Sequence, residues 1–427
     1  MKIFSRHLFA GFTLLGVTIA AARPPVDLAP TPPMGWNSWN WFNKTNINEQ
    51  VVEETIEAMA ASGLRDAGYI YVVIDGGWRD TKLGPNGELL PHPERFPRGI
   101  KRLADLAHAR GLKLGVHTVP GTHDCRGDAI GGYGREDVHI GQFVDWGLDF
   151  VKVDRCRLAD GWTEEKTKEV YMNWSRLLAQ CGRDIAFSIS AYEFRDWYPE
   201  ACQMARTTRD IRAHIHAGGA VFDDAPAAAE LRRIVEGARH HPGGTGLNTR
   251  DYLSVMTVAE INNRAAPFAG HGYWNDPDMM VVGPHGLNQE EQKAHFALWC
   301  VMSAPLMLGA DVRNLTDAEK EIILNREAIA IDQDPTEQGR RVWDDDRREI
   351  WLKRLTGGRA AVLLLNRDPA AAHEITFRGA DFGIAGSWRA RDLWAHEDSG
   401  TFSASVTRKV GPHSAVFLLI TPASTGR

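Results

Sequence analysis

The chain has 427 residues, of which 43% are hydrophobic and 24% charged, and its formal net charge at pH 7 is −6. This composition is that of an ordinary globular protein. The negative charge argues against a nucleic-acid partner, because phosphate binding needs clustered Lys and Arg. The length exceeds one small domain, although a (β/α)8 barrel alone takes about 250 residues.

The N-terminus has the pattern of a secretory signal peptide. Lys2 and Arg6 give it a basic start, an apolar run extends from Leu8 to Ala20, and small residues at positions 20–22 predict cleavage after Ala22. The apolar run is too short to span a bilayer comfortably. We therefore expect a secreted or periplasmic protein that has no membrane association after cleavage.

From Met34 onward, apolar runs alternate with helical patterns. Tyr69–Asp75 and Phe150–Asp154 have the β-branched and aromatic character of buried strands, while Gln50–Ser62 and Ile100–Ala109 have helical spacing. Repeated strand–helix alternation indicates a parallel sheet. Because about eight such strands fit before residue 335, the sequence predicts a closed (β/α)8 TIM barrel. The remaining strands are expected at 35–39, 112–117, 185–190, 205–208, just before 274, and near 305–308.

Beyond Pro335 the pattern changes to short strands separated by turn residues, which is typical of an antiparallel β-sandwich. We therefore predict a barrel over residues 23–335 and a C-terminal sandwich over residues 336–427 that packs on it. The predicted sandwich strands are 349–355, 360–365, 373–377, 388–393, 401–406 and 415–420.

The five cysteines are Cys125, Cys156, Cys181, Cys202 and Cys300. Export would permit disulfides, but an odd count leaves at least one cysteine unpaired or paired between chains. None shows the CxxC spacing of a zinc site, so we expect no structural metal.

Polar residues cluster where the predicted barrel strands end, and barrel active sites lie at the carboxyl ends of the strands. Alternation along a strand points Lys152 and Asp154 toward the barrel axis. A lysine beside a carboxylate keeps that carboxylate ionised, as a nucleophile requires, although a structural ion pair would give the same pattern. The strand-end residues are Asp75, His117, Lys152, Asp154, Arg206 and Asp210.

A second carboxyl group, on Asp210, ends the predicted sixth strand. Retaining glycoside hydrolases use two carboxyl groups about 5–5.5 Å apart, one to attack the anomeric carbon and one to protonate the leaving oxygen. Arg206 precedes Asp210 by four residues, and its guanidinium is placed to hold either Asp154 or a sugar hydroxyl.

Several ordered blocks of this chain resemble glycoside hydrolase family 27, which contains α-galactosidases and α-N-acetylgalactosaminidases. The resemblance extends from about Pro33 to Pro335 and more loosely through the C-terminal region. Its blocks are Pro33–Trp39, Asp66–Tyr69, Ile74–Trp78, Asp145–Asp154, Trp274–Met279, Ser303–Leu306 and Ala330–Pro335.

The resemblance implies a barrel with a C-terminal antiparallel domain, double displacement with retention, and no cofactor. It assigns Asp154 as nucleophile and Asp210 as acid/base. It also implies a disulfide between Cys125 and Cys156, and it leaves open whether Cys181 pairs with Cys202. The substrate-binding positions that it implies are Trp39, Asp75, Gly76, His117, Lys152, Cys156, Ser190, Arg206 and Met279.

Three of these positions depart from the pattern of galactose-specific members. Gly76 stands where they carry the second of two consecutive Asp, His117 where Tyr is usual, and Ser190 where Glu is usual. The leading interpretation is an α-galactosidase that acts on an oligosaccharide or polysaccharide with an α-linked sugar. Isomaltodextranase-like, β-L-arabinopyranosidase and α-N-acetylgalactosaminidase activities are alternatives with the same chemistry. A carbohydrate-binding protein without catalysis is the alternative of another class. The sequence leaves the oligomeric state and endo or exo action open.

Overall fold

The structure is a computed structural model that describes residues 26–155, 162–211, 215, 253–345 and 347–423. The predicted signal peptide (residues 1–22) and Cys156 lie outside the described residues. Within those ranges, no helix has both the length and the apolar character that crossing a membrane requires.

The N-terminal domain is a ring of eight parallel strands, as the alternating pattern predicts. The strands of this domain, with a hairpin formed by β3 and β4, are β1 (Met34–Asn37), β2 (Tyr71–Ile74), β3 (Arg79–Leu83), β4 (Leu89–Pro91), β5 (Lys113–Thr118), β6 (Phe150–Asp154), β7 (Ala186–Ser190), β8 (Met204–Arg206), β9 (Trp274–Asp276) and β10 (Leu306–Leu308). The order in the ring is β10-β1-β2-β5-β6-β7-β8-β9, and a parallel bridge between Met280, just after β9, and Leu308 of β10 closes it.

Helices surround this ring, and their residues explain where they begin and which face they bury. In the helix Glu49–Ala61, the side chain of Asn48 accepts a hydrogen bond from the Val51 N–H, and Val52, Ile56 and Met59 are buried at helical spacing. The described helices are Trp39–Asn46, Glu49–Ala61, Leu64–Ala67, Lys101–Ala109, Glu136–Trp146, Glu164–Gln180, Tyr198–Ala201, Val255–Arg264, Gln289–Val301, Asp317–Ile323 and Arg326–Asp332.

The antiparallel hairpin of β3 and β4 was not predicted, because its first strand is polar and lacks an alternating apolar pattern. It lies in the connection between β2 and the helix Lys101–Ala109, at the carboxyl ends of the barrel strands. Arg79 begins this hairpin and pairs with Pro91. The hairpin therefore extends the barrel wall above the end of β2.

The C-terminal domain is antiparallel, as predicted. Its strands are β11 (Arg340–Asp344), β12 (Arg348–Arg354), β13 (Ala360–Asn366), β14 (His373–Arg378), β15 (Trp388–Asp392), β16 (Glu397–Phe402), β17 (Ser405–Val410) and β18 (Ala415–Pro422). They form a six-stranded sheet of order β11-β12-β13-β18-β15-β16 and a separate pair, β14 and β17. The predicted strand 401–406 is wrong, because this segment turns and belongs to both β16 and β17.

The two domains share one apolar core. Trp299 of the barrel and Trp351 and Phe417 of the sandwich belong to the same buried cluster. The buried ammonium group of Lys353, on β12, donates to the backbone carbonyls of Ile331 and Asp332 at the end of the last barrel helix. The sandwich therefore packs directly on the barrel.

Candidate active site

A cavity of about 320 Å³ opens at the carboxyl ends of the barrel strands. Side chains from several strand ends and from the loops that follow them form its wall. The structure brings together in this cavity the predicted positions Trp39, Asp75, Gly76, His117, Lys152, Asp154, Arg206, Asp210 and Met279.

Asp154 is the last residue of β6 and lies at the base of this cavity. In register, His117 on β5 pairs with Lys152 on β6, so His117 lies beside the segment that carries Asp154. The His117 Nε2 is 3.5 Å from the Asp154 Oδ2. Burial raises the pKa of Asp154, but the hydrogen bond from His117 and the charge of Lys152 outweigh burial, so the pKa is lowered overall. Asp154 is therefore held as a carboxylate.

Lys152 makes its direct ion pair with Asp75 rather than with Asp154. The Lys152 Nζ donates to the Asp75 Oδ2 at 2.8 Å, and the Asn37 Nδ2 donates to the same oxygen at 2.9 Å. Although burial opposes it, the charge of Lys152 holds the pKa of Asp75 well below its usual range. The sequence predicts that Lys152 keeps Asp154 ionised, and the charge of Lys152 does lower the pKa of Asp154, although its direct ion pair is with Asp75.

Asp210 lies on the loop after β8 and not at the end of a strand as predicted, because β8 stops at Arg206. The Arg206 Nη2 donates to the Asp210 Oδ1 at 3.2 Å and contacts the Asp278 Oδ2 at 3.0 Å. The sequence predicts that Arg206 holds either Asp154 or a sugar hydroxyl. The prediction for Asp154 is wrong, because the guanidinium contacts and orients Asp210 instead.

Asp278 is a buried cavity residue that the sequence analysis missed, although the Trp274–Met279 block contains it. Its backbone has a φ of 104°, which a non-glycine residue rarely adopts. Its carboxylate accepts from the N–H groups of Ile211 and Met279, at 2.8 and 2.7 Å. Burial, with the charges of Asp210 and Asp276, raises the pKa of Asp278 to about 7 despite the opposing charge of Arg206.

Tyr192 is a second missed residue, and it replaces Ser190 in the cavity wall. The Ser190 Oγ is buried without a hydrogen-bond partner among the described residues, and Ser190 does not line the cavity. Tyr192, with a φ of 65°, turns its side chain into the cavity and hydrogen-bonds Asp154. Burial raises the pKa of Tyr192, and the charges of Asp154 and Asp210 both add to that shift. Its phenol therefore lies in the field of both carboxyl groups.

The indole of Trp39 lies against the backbone of Gly76. A Cβ atom added at Gly76 would be 3.2 Å from the Trp39 Cζ3, which is closer than ordinary van der Waals contact. The absence of a side chain at position 76 thus lets the indole approach this wall. An Asp at this position would have to displace the ring.

The four cysteines among the described residues divide into one bonded cysteine and three free thiols. Cys125 lines the cavity and is disulfide-bonded. Its predicted partner, Cys156, lies outside the described residues, so this pairing stays a prediction. Cys181, Cys202 and Cys300 are free, which excludes the Cys181–Cys202 pair in this structure. Across the described part of the chain, no group of three or more His, Cys, Asp or Glu is arranged to hold a metal ion.

A parallel barrel with two carboxyl groups converging on a cavity at its carboxyl end is the architecture of a glycoside hydrolase. The family model described as alpha galactosidase A matches residues 31–224 and 250–334, and the model of the alpha galactosidase C-terminal beta sandwich domain matches residues 345–420. The chain belongs to the α-galactosidase family, glycoside hydrolase family 27.

Relatives that match nearly the whole length of this chain are α-galactosidases. An α-galactosidase of Oryza sativa is 34% identical over 92% of this chain and 86% of its own length. Alpha-galactosidase A of Cellvibrio japonicus is 32% identical over 98% of this chain and 99% of its own. The crystal structure of α-galactosidase I from Mortierella vinacea superposes with a TM-score of 0.82 at 31% identity, covering 94% of this chain and 99% of that one.

Proposed function

We propose that this enzyme is a retaining α-galactosidase that releases terminal α-linked galactose by double displacement. The observation that carries the proposal is the shared cavity of Asp154 and Asp210, in which Asp154 is held ionised and Arg206 holds Asp210. The α-galactosidases among its relatives support galactose as the sugar. The substrate class is accordingly an oligosaccharide or polysaccharide with a terminal α-galactosyl group.

In the first step the carboxylate of Asp154 attacks the anomeric carbon while the acid form of Asp210 gives its proton to the glycosidic oxygen. The bond between the anomeric carbon and that oxygen breaks, the leaving group departs as an alcohol, and a glycosyl ester of Asp154 forms. In the second step the Asp210 carboxylate takes a proton from water, the water oxygen attacks the anomeric carbon, and the ester breaks. Two inversions give net retention.

The surrounding charges suit these two roles. The positive charge of Lys152 and the hydrogen bonds from His117 and Tyr192 favour the ionised nucleophile. Asp75, bound by Lys152 and Asn37, presents a rigid carboxylate that can accept hydrogen bonds from sugar hydroxyls. Met279 and Trp39 provide the apolar surface of the wall for the carbon–hydrogen faces of the sugar.

Gly76 keeps a second candidate open, namely the same chemistry on another sugar. A site that hydrogen-bonds a hydroxyl discriminates strongly against sugars that lack it. Without a carboxylate at position 76, part of that discrimination is missing. An L-arabinopyranoside, an N-acetylgalactosaminide or an α-glucan is therefore the alternative substrate.

A panel of 4-nitrophenyl glycosides, followed by NMR detection of the first anomer released, tests both candidates. We expect the α-galactoside to react fastest and to release the α-anomer. Asp154→Ala should abolish turnover, whereas the control Asp145→Ala, on the exposed side of a barrel helix, should retain it. Hydrolysis of every α-glycoside but the galactoside would refute the sugar, and an inert wild-type enzyme would favour a binding protein without catalysis. Export likewise stays a prediction, which N-terminal sequencing of the secreted protein would test.

A further inference from the structure

Two loops also line the cavity that contains the catalytic carboxyl groups. One loop follows β2 and contains the hairpin of β3 and β4, and the other follows β5. Their cavity-lining residues include Arg79 and Arg95 from the first loop and Asp124, Arg126 and Asp128 from the second. None of these residues takes part in the chemistry proposed above.

Arg79 is the unusual member of this group, because it is a buried cation with an unused donor. Its exposed fraction is 7%, and its Nη1 is buried with no hydrogen-bond partner among the residues that the structure describes. A guanidinium has five N–H donors and no acceptor. Buried charges are normally paired, because an unpaired one loses its hydration without compensation. An orphaned buried donor that lines a cavity therefore points to a ligand that supplies the acceptor.

The backbone around Arg79 is held rigidly. The Arg95 guanidinium donates from Nε and Nη2 to the Gly77 carbonyl, at 3.0 and 2.7 Å. Gly77 has a φ of +111°, and an added Cβ would be 2.5 Å from the Lys44 carbonyl oxygen. The guanidinium of Arg79 lies over the ring of Trp78, 5.9 Å from its centroid. The side chain is thus positioned before any ligand arrives, which lowers the entropic cost of binding.

The charges that face Arg79 come from several elements. Burial lowers its pKa, while the carboxylates of Asp124, Asp75, Asp128 and Asp154 favour its charged form. Asp124 is partly engaged elsewhere, since its Oδ1 accepts from the backbone N–H groups of Arg126 and Asp128 at 2.8 and 3.0 Å. These carboxylates favour the charged form of Arg79 without supplying a partner to its Nη1.

We propose that Arg79 binds a carboxylate carried by a sugar of the substrate, so that the enzyme prefers acidic α-galactosides over neutral ones. The inference rests on the proposed function. A planar guanidinium matches a carboxylate through two parallel hydrogen bonds. Gly76, which lines the same cavity, offers no side-chain acceptor, whereas Arg79 offers a buried donor. Beside Arg79 the cavity is thus suited to a ligand group that accepts.

The carboxylate has two sources, the sugar that leaves and the sugar whose bond is cleaved, and matched substrate pairs separate them. For the leaving sugar, an α-galactosyl-glucuronic acid disaccharide is compared with its methyl ester, which removes the charge. For the cleaved sugar, 4-nitrophenyl α-galacturonide is compared with its methyl ester. We expect the wild-type enzyme to show a kcat/KM about 10- to 100-fold higher for the acid in one pair.

Arg79→Met should remove this preference by lowering kcat/KM for the acid while changing that for 4-nitrophenyl α-galactoside by less than about threefold. Arg79→Lys should keep part of the preference, because it keeps the charge but not the fork. The control Arg340→Met changes an exposed arginine of the sandwich and should change neither.

Two results would overturn the proposal. The first is that wild-type enzyme cleaves the methyl esters as fast as the acids. This result needs no variant, so it counts even if Arg79→Met fails to fold. Equal losses on acidic and neutral substrates in Arg79→Met would assign Arg79 to structure or to binding hydroxyls. If wild-type enzyme leaves 4-nitrophenyl α-galactoside intact, the proposed function itself fails, whereas cleavage of that substrate without acid preference refutes only the role of Arg79.

Discussion

The ion pair between Lys152 and Asp75 offers the sharpest test of how this site is held together. Its atoms are 2.8 Å apart, and the side-chain exposures are 11% and 4%. Asp75→Asn keeps the shape of the side chain and removes its charge. Lys152→Met removes the partner and keeps most of the apolar stem. The double variant removes both charges and so completes a double-mutant cycle.

The burial of the pair sets the expected magnitude. Removing one partner of a buried ion pair leaves an uncompensated charge and costs about 3–5 kcal/mol of unfolding free energy. Removing both partners spares that penalty, so the double variant should be more stable than the sum of the single losses predicts. We expect a coupling energy of about 2 kcal/mol or more. Because the pKa of Asp75 is lowered in the folded state, this stabilisation is present above the pKa of the unfolded chain, near 3.9, and is lost progressively as the pH falls from there toward the lower folded pKa.

Urea unfolding at pH 7 and at about pH 3.5 measures these energies, and 4-nitrophenyl α-galactoside hydrolysis is followed in parallel. Lys152→Met should also move the acid limb of the kcat/KM profile to higher pH, because the charge that favours the Asp154 carboxylate is gone. Additive losses in the two single variants, with a coupling energy below about 0.5 kcal/mol, would refute the ion pair as the element that organises this wall.

Three further changes probe the rest of the cavity. Tyr192→Phe removes a hydrogen bond to Asp154, so kcat should fall about tenfold and the acid limb of the pH profile should move to higher pH. An acid limb that stays at the same pH would contradict that contact. Gly76→Asp forces the Trp39 indole away and should cost about 1–3 kcal/mol in urea unfolding, whereas unchanged stability would show that the ring has room to move. The pKa of Asp278 is raised to about 7, so its contribution to stability is full below pH 4 and is lost as the pH rises to 7. In thermal unfolding measured across this range, Asp278→Asn should therefore flatten the decrease in stability with pH, and an unaltered decrease would refute the shift.

The amino-acid sequence predicts those parts of the site that depend on local pattern. Strand periodicity places Lys152 and Asp154 on the inward face of β6, and the barrel rule places Asp75 at the same end of the domain. Which carboxylate pairs with Lys152 depends on the register of β2, β5 and β6, and nothing local in β6 encodes it.

The residues that sequence reasoning missed were missed for another reason, which is their backbone conformation. Tyr192 and Asp278 are both on loops and both have positive φ, a conformation that residue type alone does not indicate for Tyr or Asp. The β3–β4 hairpin escaped prediction because Arg79–Leu83 lacks the alternation of a half-buried strand. Such features are imposed by the assembled barrel, since packing against neighbouring loops compensates for their local cost.

The contact of Lys353 with the last barrel helix has a consequence for how the enzyme folds. Carbonyl groups at the end of a helix lack internal partners, and here a cation from β12 satisfies two of them. In a fragment that stops at residue 335, both carbonyls would lose this cation, and among the described residues only that of Ile331 would keep a backbone partner, the N–H of Asp334. The buried cluster that contains Trp299 would also lose Trp351 and Phe417. The stability of the barrel therefore depends on the C-terminal domain, which is translated after it. We expect heat or denaturant to unfold the whole enzyme in a single cooperative transition.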